Sequence, residues 1–124
     1  MTAPIGVLVV IEDDADFRGL IRLTLASEPR LHVEGEAASG ADALPLARAM
    51  QPRLIVLDHF IDGATMGMAL APLLKREAPD ARILLFTAHD LAVEAAREPA
   101  IDRYLRKRDL TALLPTVRDM LGLD

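Results

Sequence analysis

The chain has no cysteine among its 124 residues. Neither a disulfide framework nor a thiolate metal site can therefore form, and nothing points to an oxidising compartment; the cytoplasm is the expected location. Long apolar runs are missing as well. The N-terminal "IGVLVVI" (5–11) has no basic leader and runs straight into "EDDAD" (12–16), so it is too short to span a bilayer and unlike a signal peptide, and no membrane partner is expected. Basic charge is in deficit, with a net charge of -5 and a pI near 5.1. That balance argues against direct binding to nucleic acid backbones, which needs a basic surface. No glycine-rich turn follows the first apolar run, and "EDDAD" would repel a pyrophosphate, which argues against a nucleotide site of that kind. Repeats, linkers and low-complexity tracts are absent from the sequence too.

What remains is the composition of an ordinary globule, 52% hydrophobic and 27% charged. The length fits a single domain over residues 1–124 that buries roughly two-thirds of its unfolded surface. Four short aliphatic runs, "IGVLVVI" (5–11), "LHVEGEA" (31–37), "LIVL" (54–57) and "ILLF" (83–86), alternate with stretches of helical period. This alternation predicts an α/β sandwich on a parallel sheet.

Helices are expected at about 15–27, from Ser39 onward, at about 67–76, at about 90–97 and at about 109–121. The first should turn Leu20, Ile21, Leu23, Thr24 and Leu25 inward, and Asp14 and Asp16 read as its capping acids. The second should carry Ala43, Leu44, Leu46, Ala47 and Met50, and the last Leu110, Leu113, Leu114, Val117 and Leu121. Pro45 and Pro72 fall inside two of these patterns and predict a kink or a late start. The continuous runs belong at the centre of the sheet, whereas alternating "LHVEGEA" and charged "IDRYLRK" (101–107) belong at its edges. A doubly wound five-stranded order of 2-1-3-4-5 satisfies that ranking.

In such a sheet ligands sit beyond the carboxyl ends of the strands, where strand order reverses. The residues waiting there are acidic. Glu12, Asp13 and Asp14 follow the first strand, and "LIVLDHFID" (54–62) ends its aliphatic run on Asp58. An aspartate after a strand can simply begin a loop. Strands are about 4.8 Å apart, however, so at least three carboxylates would share one small region and raise one another's pKa. A hard divalent cation with a preference for oxygen resolves that repulsion, and Mg²⁺ is the natural candidate. Thr87, closing the fourth strand, and Lys107, following the fifth, add a hydroxyl and an ammonium that suit a phosphate group. Each also has a plain reading, Thr87 as strand filler and Lys107 as part of a solvated basic edge.

Taken together, motif set, spacing and topology resemble the receiver domain of bacterial two-component response regulators over essentially the whole chain. The resemblance implies a flavodoxin-like three-layer sandwich and a phosphorylation-dependent signalling switch with Mg²⁺ as cofactor. It implies that Glu12 and Asp13 bind the metal with Asp58 and the Phe60 carbonyl. By the same resemblance Asp58 accepts a phosphoryl group from a sensor histidine kinase or a phosphotransfer protein, and the chain catalyses its own phosphorylation and dephosphorylation. Thr87 and Lys107 would contact the phosphoryl oxygens, and Tyr104, in "YLRK", would be the switching aromatic. The output partner would be a downstream protein or a second copy of the chain. His59 and His89 are expected at the rim of the pocket, as exposed loop residues or as groups that tune access of water.

Two departures stand out. The family's loop after the acceptor is of the type D-x-x-M-P-x-M-D-G, whereas here "DHFIDGATMG" has Asp62 at the proline position and one extra residue before Gly67. Arg108 replaces the proline that follows the family's lysine with a cis bond, so a trans peptide and a differently aimed Lys107 are expected. The departures motivate an alternative, a degenerate receiver that serves as a phosphorylation-independent binding or dimerisation module. A small aspartyl phosphatase is a third reading; it would need a second aspartate two residues on, where Phe60 stands.

Overall fold

The computed structural model describes residues 4–10, 15–59 and 66–123. Five parallel strands, β1 (Ile5–Val10), β2 (Leu31–Ala37), β3 (Leu54–Leu57), β4 (Arg82–Thr87) and β5 (Arg103–Arg106), form one sheet in the order β2-β1-β3-β4-β5. The helices are α1 (Ala15–Ala26), α2 (Gly40–Met50), α3 (Gly67–Glu77), α4 (Ala92–Ala96) and α5 (Leu113–Met120), with a 3₁₀ segment over Lys107–Ala112 before α5. This is the doubly wound arrangement that the aliphatic runs predict.

The period-two alternation of the central strands divides the core into two layers. Leu8, Val10, Ile55, Leu57, Ile83 and Leu85 face Ala43 and Ala47 of α2, Leu70 and Leu74 of α3 and Ala95 of α4. Val7, Val9, Leu54, Val56, Leu84 and Phe86 face Ile21 and Leu25 of α1 and Leu113 and Val117 of α5. Both faces of β1, β3 and β4 are thus covered, which is why those strands read as unbroken aliphatic runs. At the edge, β2 exposes His32 and Glu34.

Several helices depart from their expected limits or faces. Leu20 and Leu23, expected inward, are 42% and 72% exposed. The inward stripe of α1 runs through half-buried Phe17 and buried Ile21 and Leu25 at intervals of four, and Leu23, two positions from either buried partner, points to the opposite side. Pro45 and Pro72 sit well inside α2 and α3, and neither helix starts late. Ser39 caps α2 as expected, its Oγ accepting from the Asp42 N–H at 3.1 Å; sheet-facing Ala43, Ala47, Leu70, Ala71 and Leu74 hold both helices in spite of the missing donors. The last helix begins at Leu113 because Asp109 leaves the helical region (φ -98, ψ 39). The fourth is a single short turn.

At the end of the sheet opposite the strand carboxyl ends, Glu28 closes a clasp. Its buried carboxylate accepts from the Arg30 N–H at 3.0 Å and from the Arg30 guanidinium at 2.9 and 2.8 Å. Arg118 Nε of α5 adds a bond at 3.0 Å. The Arg30 side chain and amide hold the carboxyl well below the usual range, against the opposing effect of burial. On the other side of the molecule, Gly67 opens α3 where only a hydrogen fits. A Cβ there would stand 2.1 Å from the Asp58 carbonyl oxygen, and the Gly67 amide donates to the His59 carbonyl at 2.5 Å.

Two outcomes follow. Because the Glu28 carboxyl is depressed in the folded state, its stabilisation is fully present above the ordinary glutamate value and fades as pH falls toward the folded one. Glu28→Gln should unfold at lower urea concentration than wild type near neutral pH, with the gap narrowing in acid. Gly67→Ala forces backbone against backbone and should cost about 1–3 kcal/mol in equilibrium urea unfolding.

Candidate functional site

The register brings the strand ends level. Val10 pairs with Leu57 and Leu57 with Leu85, and the next residue of the third strand, Asp58, donates its amide to the Val10 carbonyl at 3.0 Å. Asp58 is therefore fixed beside the end of β1, and it is only 7% exposed. A carboxylate so placed needs compensation. Lys107 supplies it, with Nζ 2.6 Å from Asp58 Oδ2, and the His59 N–H donates to Oδ1 at 2.7 Å. The aliphatic run can end on a charge because a cation from the far side of the sheet closes over it.

Lys107 follows β5 directly, at the start of the 3₁₀ segment. Among the described residues no peptide bond is cis. The bond from Lys107 to Arg108 is thus trans, as expected without proline, yet the lysine is aimed at Asp58, and the expectation that it points elsewhere is corrected. The chain needs no proline there because Lys107 reaches Asp58 along its own flexible stem. Its ammonium also lies 4.5 Å above the centroid of the Phe17 ring. That ring stands 5.6 Å from the ring of fully buried Phe86, at an interplanar angle of 32°.

Thr87 ends β4 with no exposure, its Oγ1 accepting from the His89 N–H at 3.3 Å. Tyr104 Oη donates to the His89 carbonyl at 2.7 Å and accepts from the Leu91 N–H at 3.1 Å. Arg106 Nη2 donates to the Ala88 carbonyl at 3.2 Å. Residues 88–91 are thus tied to the ends of both β4 and β5. His59 is half-buried rather than exposed and His89 is exposed. Burial, then the charge of His89, pushes the His59 imidazole down from its ordinary value, against the pull of Asp58.

Of the residues singled out in the sequence, Asp58 and Lys107 are in direct contact, and Thr87 and Tyr104 meet on the backbone of His89. Glu12, Asp13 and Phe60 lie outside the described residues, as does Asp62. Among the described residues no group of three or more His, Cys, Asp or Glu side chains is placed to hold a metal ion. Asp58 is the one described donor of the set named for Mg²⁺, and its hard carboxylate oxygens suit that ion. Sequence reading overlooked Phe17; its signal was the four-residue spacing to Ile21 and Leu25. No helix among the described residues is long and apolar enough to cross a membrane.

Comparison with known proteins agrees with this geometry. The family profile described as "Response regulator receiver domain" matches residues 8–118. The probable transcriptional regulatory protein NarL of Mycobacterium tuberculosis is 32% identical over 120 residues, covering 94% of this chain and 55% of that protein. A two-component response regulator of the LuxR family from Aurantimonas superposes with a TM-score of 0.84 at 26% identity, covering 98% of this chain and 86% of the other. A response regulator from Burkholderia pseudomallei, solved with a phosphorylated aspartic acid, a calcium ion and citrate, superposes with a TM-score of 0.72 at 30% identity, covering 87% and 65%. The chain spans about half or less of the length of the curated relatives it matches. An aspartate paired with a lysine across the carboxyl edge of a 2-1-3-4-5 sheet, within a match over residues 8–118, makes the chain a member of the response regulator receiver domains of two-component systems.

Proposed function

We propose that the chain, as a single receiver domain over residues 1–124, is a phosphorylation-dependent switch whose acceptor is Asp58. The observation that supports this reading is the Asp58–Lys107 pair at 2.6 Å, a carboxylate and an ammonium in contact at the carboxyl edge of the sheet. An oxygen of Asp58 attacks the phosphorus of a phosphohistidine or a small acyl phosphate donor. The new O–P bond forms as the bond to the donor breaks, and an acyl phosphate results. Lys107, already beside the carboxylate, pairs with the added negative charge. Thr87 donates its hydroxyl to a phosphoryl oxygen.

Glu12, Asp13, Asp58 and the Phe60 carbonyl would hold Mg²⁺, which when bound neutralises the gathered negative charge. The calcium ion and phosphorylated aspartic acid of the Burkholderia pseudomallei regulator support both parts of this reading. A shift of Thr87 toward the phosphoryl group acts on residues 88–91, because the Thr87 hydroxyl holds the His89 amide and Tyr104 holds the carbonyl of the same residue. Tyr104 and the face around β4 and β5 thereby change together, and a downstream protein or a second copy reads the difference. The phosphodonor in a cell is a sensor histidine kinase or phosphotransfer protein, and the setting is the cytoplasm.

Acetyl phosphate with Mg²⁺ should add one phosphoryl group per chain by mass spectrometry, and Asp58→Asn should abolish the addition. Beryllofluoride should shift the amide resonances of Thr87, His89 and Tyr104. Labelling of the Asn variant would refute Asp58 as the acceptor. A wild-type spectrum indifferent to Mg²⁺ and beryllofluoride would favour a phosphorylation-independent docking module.

A further inference from the structure

We propose that Phe17 is a positioning residue for phosphoryl transfer: the face of its ring holds the Lys107 ammonium over Asp58. The inference rests on the reading of Asp58 as acceptor and adds a residue to it. Lysine is a point charge on a long flexible stem, and ordering it is entropically unfavourable. Among the described residues two partners order it at once, the Asp58 carboxylate at 2.6 Å and the Phe17 ring at 4.5 Å. A ring face attracts a cation without acting as a strong hydrogen-bond acceptor. The ammonium is therefore held in place while its N–H groups stay available to Asp58 and to arriving phosphoryl oxygens. A carboxylate at residue 17 would compete with Asp58 for the same cation, and an aliphatic side chain would not hold it at all.

The ring is itself well anchored. It packs 5.6 Å from Phe86, which has no exposure and immediately precedes Thr87 on β4. Below it, Ile21 and Leu25 continue the same stripe of α1 into the core. The position of the ammonium is thus referred back to rigid elements on two sides, α1 and β4. This support counts for more in a chain whose lysine is followed by Arg108, since that backbone lacks the fixed φ of a proline.

The test compares wild type with Phe17→Leu, Phe17→Tyr and Phe17→Trp. Two quantities are read, the initial rate of phosphorylation by acetyl phosphate with Mg²⁺ and the NMR shift of the Lys107 ε-methylene protons, which a ring face moves upfield. Phe17→Leu should phosphorylate about two- to thirtyfold more slowly, the range given by loss of a cation–π contact. Its ε-methylene shift should return toward the free-lysine value, while the core amide spectrum stays folded. Tyr and Trp should restore both rate and shift. A folded Leu variant that keeps the wild-type rate, or one that slows without movement of the Lys107 shift, overturns the inference while leaving Asp58 as acceptor. Failure of Trp and Tyr to rescue a slowed Leu variant overturns it equally. Wild-type protein that takes no phosphoryl group sinks the acceptor reading, and this inference with it.

Discussion

The ion pair between Asp58 and Lys107 joins residues 49 positions apart in sequence across the carboxyl edge of the sheet. A carboxylate with 7% exposure, following four fully buried aliphatic residues, is unfavourable in isolation. Every element that brings Lys107 to it is thus under constraint. The parallel pairing of β3, β4 and β5 sets the height of the strand ends, the direct passage from β5 into the 3₁₀ segment starts the lysine at the right level, and the Phe17 ring limits where the ammonium goes. Charge pairing here is less a source of stability than a condition of having this carboxylate at this place.

The second constraint is the segment 88–91. Its backbone is held from three directions, by Thr87 Oγ1, Tyr104 Oη and Arg106 Nη2. Two of these anchors act on His89, one on its amide and one on its carbonyl. Thr87 and Tyr104 are therefore linked through the backbone of a single residue. The short α4 that follows spans five residues and buries only Ala95, so little packing opposes movement of this region.

Much of the fold was legible in the sequence because covering a parallel strand on both faces demands an aliphatic residue at every position, and "LIVL" and "ILLF" carry that demand openly. The edge strands were legible for the converse reason. Helix faces were harder. Leu20 and Leu23 are as apolar as Ile21 and Leu25, and the pair turned to the sheet is the one that continues the four-residue stripe from Phe17. The start of the last helix was likewise hidden, since "KRDLTA" has no glycine or proline to mark the interruption at Asp109.

For the candidate site the division is sharper. Local residue chemistry was enough to single out Asp58, Thr87 and Lys107, because a carboxylate, a hydroxyl and an ammonium stand at or just beyond the ends of three strands, whereas Tyr104 was named by the family resemblance alone. Which of them touch was decided by the tertiary structure alone. Nothing in the order of residues says that Lys107 lies over Phe17, that Tyr104 and Thr87 share His89, or that Arg108 still leaves the lysine aimed at the carboxylate. Side-chain identity is a local property and strand order follows from local patterns, whereas contact between distant side chains depends on register and rotamer, which exist only once the sheet has closed its layers.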